Sequence, residues 1–366
     1  MRMTDYIQAV KRDLRDQHGF TPCPGSSKDE LLFDNVPDGE YPMTINGRLD
    51  YGRLDNGSIH SLLQFQRTKN GGGVMEEFEK AMIEAVWFSM RVIRDNILGL
   101  KVKEAQTKGD GSLLTRVDLE SEQAGFRVLQ EHFPGIPVLR EESGLSKGSG
   151  RWVFLYDPID GTRPFLSGTS TSTVICALYD RQIGAIMGVV IGDPSYGRVW
   201  SAFNGAGCKL SVLDMASGSL LRSDNCLAWQ GDLQHKSLVL YECSHAFSRG
   251  NRQILTDENV RKLHSLLQPT VTLQNYGSNG LHHALVANGA DFVGGAITVA
   301  MGGPWDCGGV IAVLEAGGIC AAFRMTYDRQ LEPREPLDPF SYDILVVANK
   351  PDTLLFLCDC LLKCLR

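Results

Sequence analysis

The sequence predicts an α/β protein built of layered helices and sheets, and three observations support this class. The apolar run at 152–156 is typical of a buried strand. Apolar residues recur at three- and four-residue steps over 78–97, which predicts an amphipathic helix. Strand-like runs at 171–178 and 183–191 follow the first strand, and helical segments alternate with strands around them. The 366 residues are enough to bury a large core and to form two domains.

The composition is that of an ordinary soluble globular protein, with 43% apolar and 22% charged residues. A net charge of −7 without a Lys/Arg-rich block argues against nucleic acid as the main partner. No apolar run approaches the ~18 residues needed to span a bilayer, and the N-terminus lacks the apolar core of a signal peptide. Ten cysteines lack a disulfide framework, so we expect reduced thiols and a cytoplasmic protein without a membrane partner.

Residues 1–73 differ from the rest of the chain and are interpreted as a small β-rich extension of unknown role. Strand-like alternation surrounds Asn-Gly pairs at 46–47 and 56–57, which favour hairpins. The three glycines at 71–73 are a plausible linker.

Further along, the polar segment 211–236 is the expected boundary between two subdomains. The sequence thus predicts an N-terminal subdomain at 74–215 with most of the acidic motifs and a C-terminal one at 216–366.

Two polar segments precede the first long strand. Residues 108–118 combine a glycine-rich bend with a short strand that ends at Asp118, and a helix is predicted over 119–132. Taken alone, this segment is a solvated loop. The strand at 138–140 leads into paired glutamates at 141–142, which are usually solvated unless a cation lies opposite them.

The motif Asp-Pro-Ile-Asp-Gly-Thr at 157–162 carries the most information in the chain. The proline disfavours a flat strand, so the carboxylates of Asp157 and Asp160 and the carbonyl of Ile159 should converge. Hard oxygen ligands of this kind suit Mg²⁺. A helix starting after Gly161 would direct its first N–H groups to the same point and favour an anion. The motif therefore indicates a metal-assisted phosphate site, the alternative being two ordinary turns.

The last motifs lie near two predicted helices in the C-terminal half. The run Gly-Ser-Asn-Gly at 277–280 precedes a helix over 281–287. Asp306 precedes an apolar helix over 310–316, where it could serve as an N-cap.

Together these motifs resemble the inositol monophosphatase-like superfamily of Mg²⁺-dependent, lithium-sensitive phosphatases. That superfamily includes fructose bisphosphatase, histidinol phosphatase and 3′-phosphoadenosine nucleotide phosphatase. The resemblance covers about residues 76–350, and its motifs occur in the family's order: Lys108 to Asp118, Glu141-Glu142-Ser143, Asp157 to Thr162, Trp305-Asp306 and Glu315-Ala316-Gly317-Gly318. It implies an αβαβα five-layer sandwich and a phosphoric monoester hydrolase.

The resemblance implies two to three Mg²⁺ ions. Glu141, Asp157 and the carbonyl of Ile159 would hold the first ion. Asp157 would bridge to a second ion that is also held by Asp160 and Asp306. A third, weaker ion would lie near Glu141 with mostly water ligands.

Catalytic roles follow from the same resemblance. Thr162 and Asp118 would form a pair that orients the attacking water, and Glu141 is counted with them as a catalytic residue. The phosphate would lie against Asp160, Gly161 and Thr162, held by the N–H groups of the last two. No covalent phosphoenzyme is expected.

The organic part of the substrate would contact Gly277, Ser278 and Asn279. Where inositol phosphatases carry a glutamate that hydrogen-bonds substrate hydroxyls, this chain has Val299, which makes inositol phosphate a less favoured substrate. The run at 160–168 is most similar to histidinol-phosphatase-like members.

The resulting hypothesis is a Mg²⁺-dependent phosphomonoesterase that hydrolyses a small phosphorylated metabolite, such as a histidinol, sugar or inositol phosphate, by attack of an activated water. One alternative is a phosphatase of a bisphosphorylated nucleotide or sugar, or of a nucleoside or amino-sugar phosphate. A non-enzyme alternative is a binding or regulatory relative, which the complete set of carboxylates disfavours. Because the family is often dimeric, the resemblance also implies a homodimer.

Overall fold

The structure is a computed structural model, and it describes ten ranges of the chain: 40–43, 50–53, 72–98, 105–108, 113–243, 248–249, 252–289, 292–299, 303–334 and 339–365. The helices within these ranges are α1 (Gly72–Leu98), α2 (Arg116–His132), α3 (Thr162–Ser167), α4 (Asp257–Leu267), α5 (Asn279–Ala287), α6 (Gly309–Glu315) and α7 (Pro351–Cys364). A 3₁₀ turn covers Pro304–Cys307. None of the described helices is both long and apolar enough to cross a membrane.

Two short antiparallel pairs lie near the start of the described chain. They are β1 (Glu40–Met43) with β2 (Asp50–Arg53), and β3 (Gln106–Thr107) with β4 (Leu113–Leu114). The first pair encloses the Asn-Gly dipeptide at 46–47 for which the sequence predicts a hairpin. The predicted hairpin at 56–57 and most of the extension lie outside the described residues.

The larger sheet has eight strands. In chain order these are β5 (Val138–Arg140), β6 (Gly144–Leu145), β7 (Trp152–Asp160), β8 (Thr173–Asp180), β9 (Ala185–Asp193), β10 (Arg198–Phe203), β11 (Gly207–Leu213) and β12 (Leu220–Cys226). Their spatial order is β12-β11-β10-β9-β8-β7-β5-β6. All neighbours are antiparallel except β5 and β7, which are parallel.

The smaller sheet has six strands. They are β13 (Leu238–Cys243), β16 (Thr272–Gln274), β17 (Val293–Val299), β18 (Ile319–Met325), β19 (Leu331–Pro333) and β20 (Ile344–Ala348), while β14 (Ser248–Arg249) and β15 (Arg252–Gln253) form a separate pair. The order in the sheet is β16-β13-β17-β20-β18-β19. β13 lies parallel to both β16 and β17, and the other neighbours are antiparallel.

Three apolar clusters stack these elements into five layers. α1 and α2 cover one face of the larger sheet, where Met82 packs with Tyr156. α5 and α6 lie between the sheets, in a cluster that takes Leu155 from the larger sheet and Leu240 from the smaller one. α4 and α7 cover the outer face of the smaller sheet. The predicted αβαβα sandwich is therefore confirmed.

Several predicted boundaries are wrong. The predicted linker at 71–73 is interrupted because α1 begins at Gly72. The segment 211–236, expected to be irregular, contains strand β12. β12 is the edge strand of its sheet and most of its residues are exposed, which explains why its sequence is polar. The subdomain limits at 74–215 and 216–366 stay predictions.

Candidate active site

The central motif lies at the end of β7, which continues through Asp160. The strand is therefore longer than the predicted 152–156, but it is not flat at the motif, as Pro158 predicts, because the pairing of β7 with β8 is interrupted between Asp157 and Asp160. Such an irregularity accommodates Pro158, which cannot donate to a sheet, and re-aims the side chains around it. The Pro158 carbonyl accepts a hydrogen bond from the Ser121 hydroxyl of α2 (3.0 Å). The Asp157 carboxylate in turn accepts the N–H of Ile159 (2.9 Å).

Three buried aspartates from distant parts of the sequence meet at this point. Asp157, Asp160 and Asp306 each offer an oxygen within 4.8 Å of the others. Burial raises the pKa of all three, and neighbouring carboxylates raise the pKa of Asp157 and Asp306 further, that of Asp306 to about 7. A divalent cation would relieve this repulsion, and carboxylate oxygens are the ligands that Mg²⁺ prefers.

Asp160 is held by four donors. Its Oδ2 atom accepts hydrogen bonds from the hydroxyls of Thr173 (2.8 Å) and Ser278 (2.6 Å) and from the N–H of Gly280 (2.7 Å). Its Oδ1 atom accepts the N–H of Asn279 (3.2 Å). Because α5 begins at Asn279, the positive end of a helix dipole faces this carboxylate.

Asp306 lies within the 3₁₀ turn, before α6 begins at Gly309, so the N-cap interpretation for that helix is wrong. Its carboxylate accepts the N–H of Gly303 (3.1 Å) and the side-chain amide of Asn279 (3.2 Å). Asn279 is oriented by the hydroxyl of Thr298, which donates to its amide oxygen (3.1 Å). Asn279 thus links Asp160, which accepts its backbone N–H, to Asp306, which accepts its side-chain amide.

Asp118 and Thr162 face each other across the site. The Thr162 hydroxyl donates to Asp118 Oδ1 (3.4 Å) and also lies 3.3 Å from the Ile159 carbonyl. Asp118 Oδ2 accepts the N–H (2.7 Å) and the hydroxyl (2.5 Å) of Thr115. Thr115 caps α2, so the helix starts at Arg116 and the predicted start at 119 is wrong. Burial raises the pKa of Asp118, although the hydrogen bonds from Thr115 oppose the rise.

Gly161 occupies a left-handed conformation (φ +92°) immediately before α3. A Cβ atom at this position would lie 2.8 Å from the carbonyl oxygen of Gly277. The site therefore requires glycine, and the backbone at Gly277 packs directly against it. This contact brings the predicted substrate loop of the C-terminal half against the start of α3.

Glu141 lies at the other end of the site and interacts with a lysine. Lys108 Nζ donates to Glu141 (2.9 Å) and to Glu142 (2.6 Å). Burial opposes the charge of Lys108, yet the two carboxylates hold its pKa above the usual value. Burial and the charge of Glu141 raise the pKa of Glu142 to about 7. Residues 109–112, part of the predicted metal loop, lie outside the described residues.

The structure thus brings together the predicted site residues: Asp118, Glu141, Asp157, Ile159, Asp160, Gly161, Thr162, Gly277, Ser278, Asn279 and Asp306. Ser278 and Asn279 point at the aspartates, and their contacts with substrate stay a prediction. The sequence reading missed Thr173 and Thr298 because neither lies in a motif, and only strand register places them at the site.

The chain matches the family model described as the inositol monophosphatase family over residues 74–355. Nus factor SuhB from Haemophilus influenzae is 26% identical over 225 residues, 60% of this chain and 75% of that protein. Histidinol-phosphatase from Chlorobaculum parvum is 27% identical over 229 residues, 62% of this chain and 78% of that protein.

Among solved structures, the extragenic suppressor protein SuhB from Bartonella henselae superimposes with a TM-score of 0.62. The match covers 77% of this chain and 97% of that one at 21% identity, so it supports the fold. Family match, fold and acidic cluster agree: the chain belongs to the inositol monophosphatase family of metal-dependent phosphatases and is a phosphoric monoester hydrolase that acts on small phosphate esters.

Proposed function

We propose that the protein is a Mg²⁺-dependent phosphomonoesterase that transfers the phosphoryl group of a small metabolite to water. The observation that carries the proposal is the buried cluster of Asp157, Asp160 and Asp306, which lies beside the Thr162–Asp118 pair. The proposed substrates are histidinol-, sugar- or inositol-phosphate-like esters. One relative is named a histidinol-phosphatase, which supports the first of these classes.

The proposal includes two to three Mg²⁺ ions, the third near Glu141. Glu141, Asp157 and the Ile159 carbonyl would hold one ion, and Asp157, Asp160 and Asp306 a second. These groups are all hard oxygen ligands. Burial raises the pKa of Asp157 and repulsion by the neighbouring carboxylates raises it further, so a cation at this point would offset their charge. When bound, such ions neutralise charge on the phosphate and lower the pKa of the attacking water.

The chain's own residues would orient the reaction. The Ile159 carbonyl would hold a metal ion, so the hydroxyl proton of Thr162 would be directed to Asp118 (3.4 Å) and its lone pairs would remain available to orient an attacking water. Asp118 keeps this orientation because Thr115 holds its other oxygen. The N–H groups of Gly161 and Thr162, at the first turn of α3, would bind the phosphate oxygens.

Ser278 and Asn279 would serve mainly as positioning residues in this proposal. Both donate to aspartates that would hold metal, which fixes the aspartate oxygens before any ion binds. The proposal further includes inhibition by lithium, a homodimeric assembly and a cytoplasmic location, as the family resemblance implies.

The test is phosphate release from a panel of esters with Mg²⁺, with EDTA and with added Li⁺. The panel contains histidinol phosphate, inositol phosphate, fructose bisphosphate and adenosine 3′,5′-bisphosphate. We expect Mg²⁺-dependent turnover that Li⁺ inhibits and that Asp157→Asn reduces about 10³-fold. The matched control Asp352→Asn, an exposed residue of α7, should retain full turnover. Turnover that persists in EDTA or in Asp157→Asn would contradict the proposal.

A further inference from the structure

The parallel strands β13 and β17 place a further acidic residue, Glu242, on the side of the sheet that faces the middle layer of the protein. Their register pairs Glu242 with Thr298 and Leu240 with Ala296. Leu240 and Ala296 belong to the apolar cluster between the two sheets. Because alternate side chains of a strand share one face, Glu242 and Thr298 face the same layer. Val299, the next residue, faces the outer apolar cluster instead.

Thr298 connects this position to the aspartates. Its hydroxyl donates to Asn279 (3.1 Å), whose side-chain amide donates to Asp306 (3.2 Å). Neighbouring strands lie about 4.8 Å apart, so Glu242 is a direct neighbour of Thr298. Burial raises the pKa of Glu242, and the charge of Asp160 raises it further.

The other neighbours of Glu242 lead to the substrate loop. The side-chain amide of Asn275 hydrogen-bonds the Glu242 carboxylate, and the oxygen of that amide accepts the N–H of Gly277 (2.6 Å). The charge of Arg163, an exposed residue next to Thr162 in α3, also acts on the carboxylate and opposes the rise of its pKa. Glu242 is half-buried. Its position lies between the loop before α5 and the start of α3.

We propose that Glu242 determines specificity by accepting hydrogen bonds from hydroxyl or ammonium groups on the organic part of the substrate. The inference rests on the proposed phosphatase function and assigns the residue that would select, among small phosphate esters, those whose organic part is a polyol or an amino alcohol. An ionised carboxylate only accepts hydrogen bonds, so it favours organic parts that carry donors. It also disfavours organic parts that carry a carboxylate of their own, through like-charge repulsion.

This proposal changes the interpretation of Val299. The sequence suggests that a valine at this position removes the acceptor for substrate hydroxyls. In the structure Val299 is 2% exposed within the outer apolar cluster, so its side chain faces away from the aspartates. Glu242 supplies an acceptor from the neighbouring strand, and substrates with hydroxyl groups are therefore expected to bind.

The experiment compares Glu242→Ala and Glu242→Gln with wild type in Mg²⁺. The matched control is Glu131→Ala, an exposed position on the outer helix α2. The donor-bearing substrates are glycerol 2-phosphate, with hydroxyls, and phosphoethanolamine, with an ammonium group. The reference substrate is p-nitrophenyl phosphate, whose organic part has no hydrogen-bond donor. Thermal shift with Mg²⁺ and inorganic phosphate reports whether the phosphate site of each variant is intact.

For Glu242→Ala we expect KM to rise about tenfold for a donor-bearing ester, with kcat and the hydrolysis of p-nitrophenyl phosphate unchanged. Glu242→Gln should retain more activity on the hydroxyl ester than on the ammonium ester, because it keeps an acceptor but loses the charge. Three results would each overturn the proposal. They are an equal loss of activity by Glu242→Ala on all three substrates, an unchanged KM of Glu242→Ala for the donor-bearing esters, and a wild-type KM that is no lower for these esters than for p-nitrophenyl phosphate. Absence of any Mg²⁺-dependent hydrolysis by wild type would instead overturn the proposed function, and this inference with it.

Discussion

The two ends of the carboxylate site are stabilised in different ways. At one end, Asp160 is 6% exposed and accepts hydrogen bonds from four neutral donors. At the other end, the Glu141 side chain is 22% exposed and pairs with the ammonium group of Lys108. Neutral donors fix the orientation of a carboxylate and leave its charge in place. An ammonium group offsets the charge and occupies the oxygens that a metal ion would use.

This difference suggests that the two ends of the site differ in how strongly they bind a metal ion. The Asp160 end is already arranged for an ion, because its oxygens are fixed and Asn279 links it to Asp306. The Glu141 end must exchange an ion pair with Lys108 for a metal ion, so we expect weaker metal binding there. The comparison predicts that substitutions at the two ends differ in their effects on folding as well as on turnover.

The largest effect is expected for Asp160→Asn. The new amide group would replace one carboxylate oxygen by an NH₂ donor that faces the N–H of Asn279 or of Gly280, leaving buried donors unpaired. We expect turnover to fall about 10³-fold and the free energy of unfolding to fall by about 2 kcal/mol. Glu141→Gln should also reduce turnover, but its free energy of unfolding should change by less than about 0.5 kcal/mol. Phosphate release and urea denaturation in EDTA measure both quantities, and equal destabilisation by the two variants would contradict the comparison.

The Asp160 end should also be sensitive to acid. α5, whose start supplies Ser278 to Gly280, carries the fully buried His283, whose ring nitrogens have no hydrogen-bond partner in the part of the chain that the structure describes. Burial lowers the pKa of His283 from 6.5 to about 4. The unfolded chain therefore binds a proton first, and stability present above pH 6.5 is lost as the pH falls to about 4.

The shift of His283 corresponds to about 3 kcal/mol over this pH range. His283→Met, of similar volume and without ring nitrogens, should flatten the pH dependence of the free energy of unfolding and leave stability at pH 7.5 nearly unchanged. The measurement is urea denaturation of both proteins at several pH values between 7.5 and 4. The exposed His132→Gln serves as the control, and a slope as steep in His283→Met as in wild type would exclude His283 as the cause.

The carboxylates of the site could be predicted from the sequence, because they lie in short motifs. Asp157 and Asp160 share one motif, and each remaining carboxylate stands at the end of a recognisable strand or helix. The five-layer fold was likewise predicted from the family resemblance that these motifs carry. Local sequence predicts this strand only over 152–156, whereas pairing on either side of Pro158 keeps residues 152–160 in one irregular strand.

The donors that hold the carboxylates could not be predicted, because they depend on contacts distant in the sequence. Thr173 reaches Asp160 through the pairing of β7 with β8, and Ser278 reaches it from 118 residues away. The orientations of Glu242 and Val299 could not be predicted from the sequence for the same reason. Both lie at strand ends, and only the register between β13 and β17 shows which one faces the site.

A smaller effect is expected for Ser278→Ala. The change removes one donor to Asp160 and also the N-cap of α5, where the Ser278 oxygen accepts the N–H of Leu281 (3.1 Å). We expect the free energy of unfolding to fall by about 1–2 kcal/mol and turnover by about tenfold. Ser278→Thr keeps the hydroxyl and should restore most of both. If Ser278→Ala lowered turnover and left unfolding unchanged, direct contact with substrate would be its main role.

The smallest effect, and the most direct test of the Glu141 end, is expected for Lys108→Met. Lys108 Nζ competes with a metal ion for Glu141, so its removal should tighten Mg²⁺ binding about three- to tenfold. The binding step that depends on the Asp160 end should not change, because its donors are neutral. Calorimetric titration of Mg²⁺ resolves the two steps, with the exposed Lys147→Met as control. Weaker Mg²⁺ binding in Lys108→Met would mean that the lysine shapes the Glu141 end for the ion rather than competing with it, and both ends would then be arranged in advance.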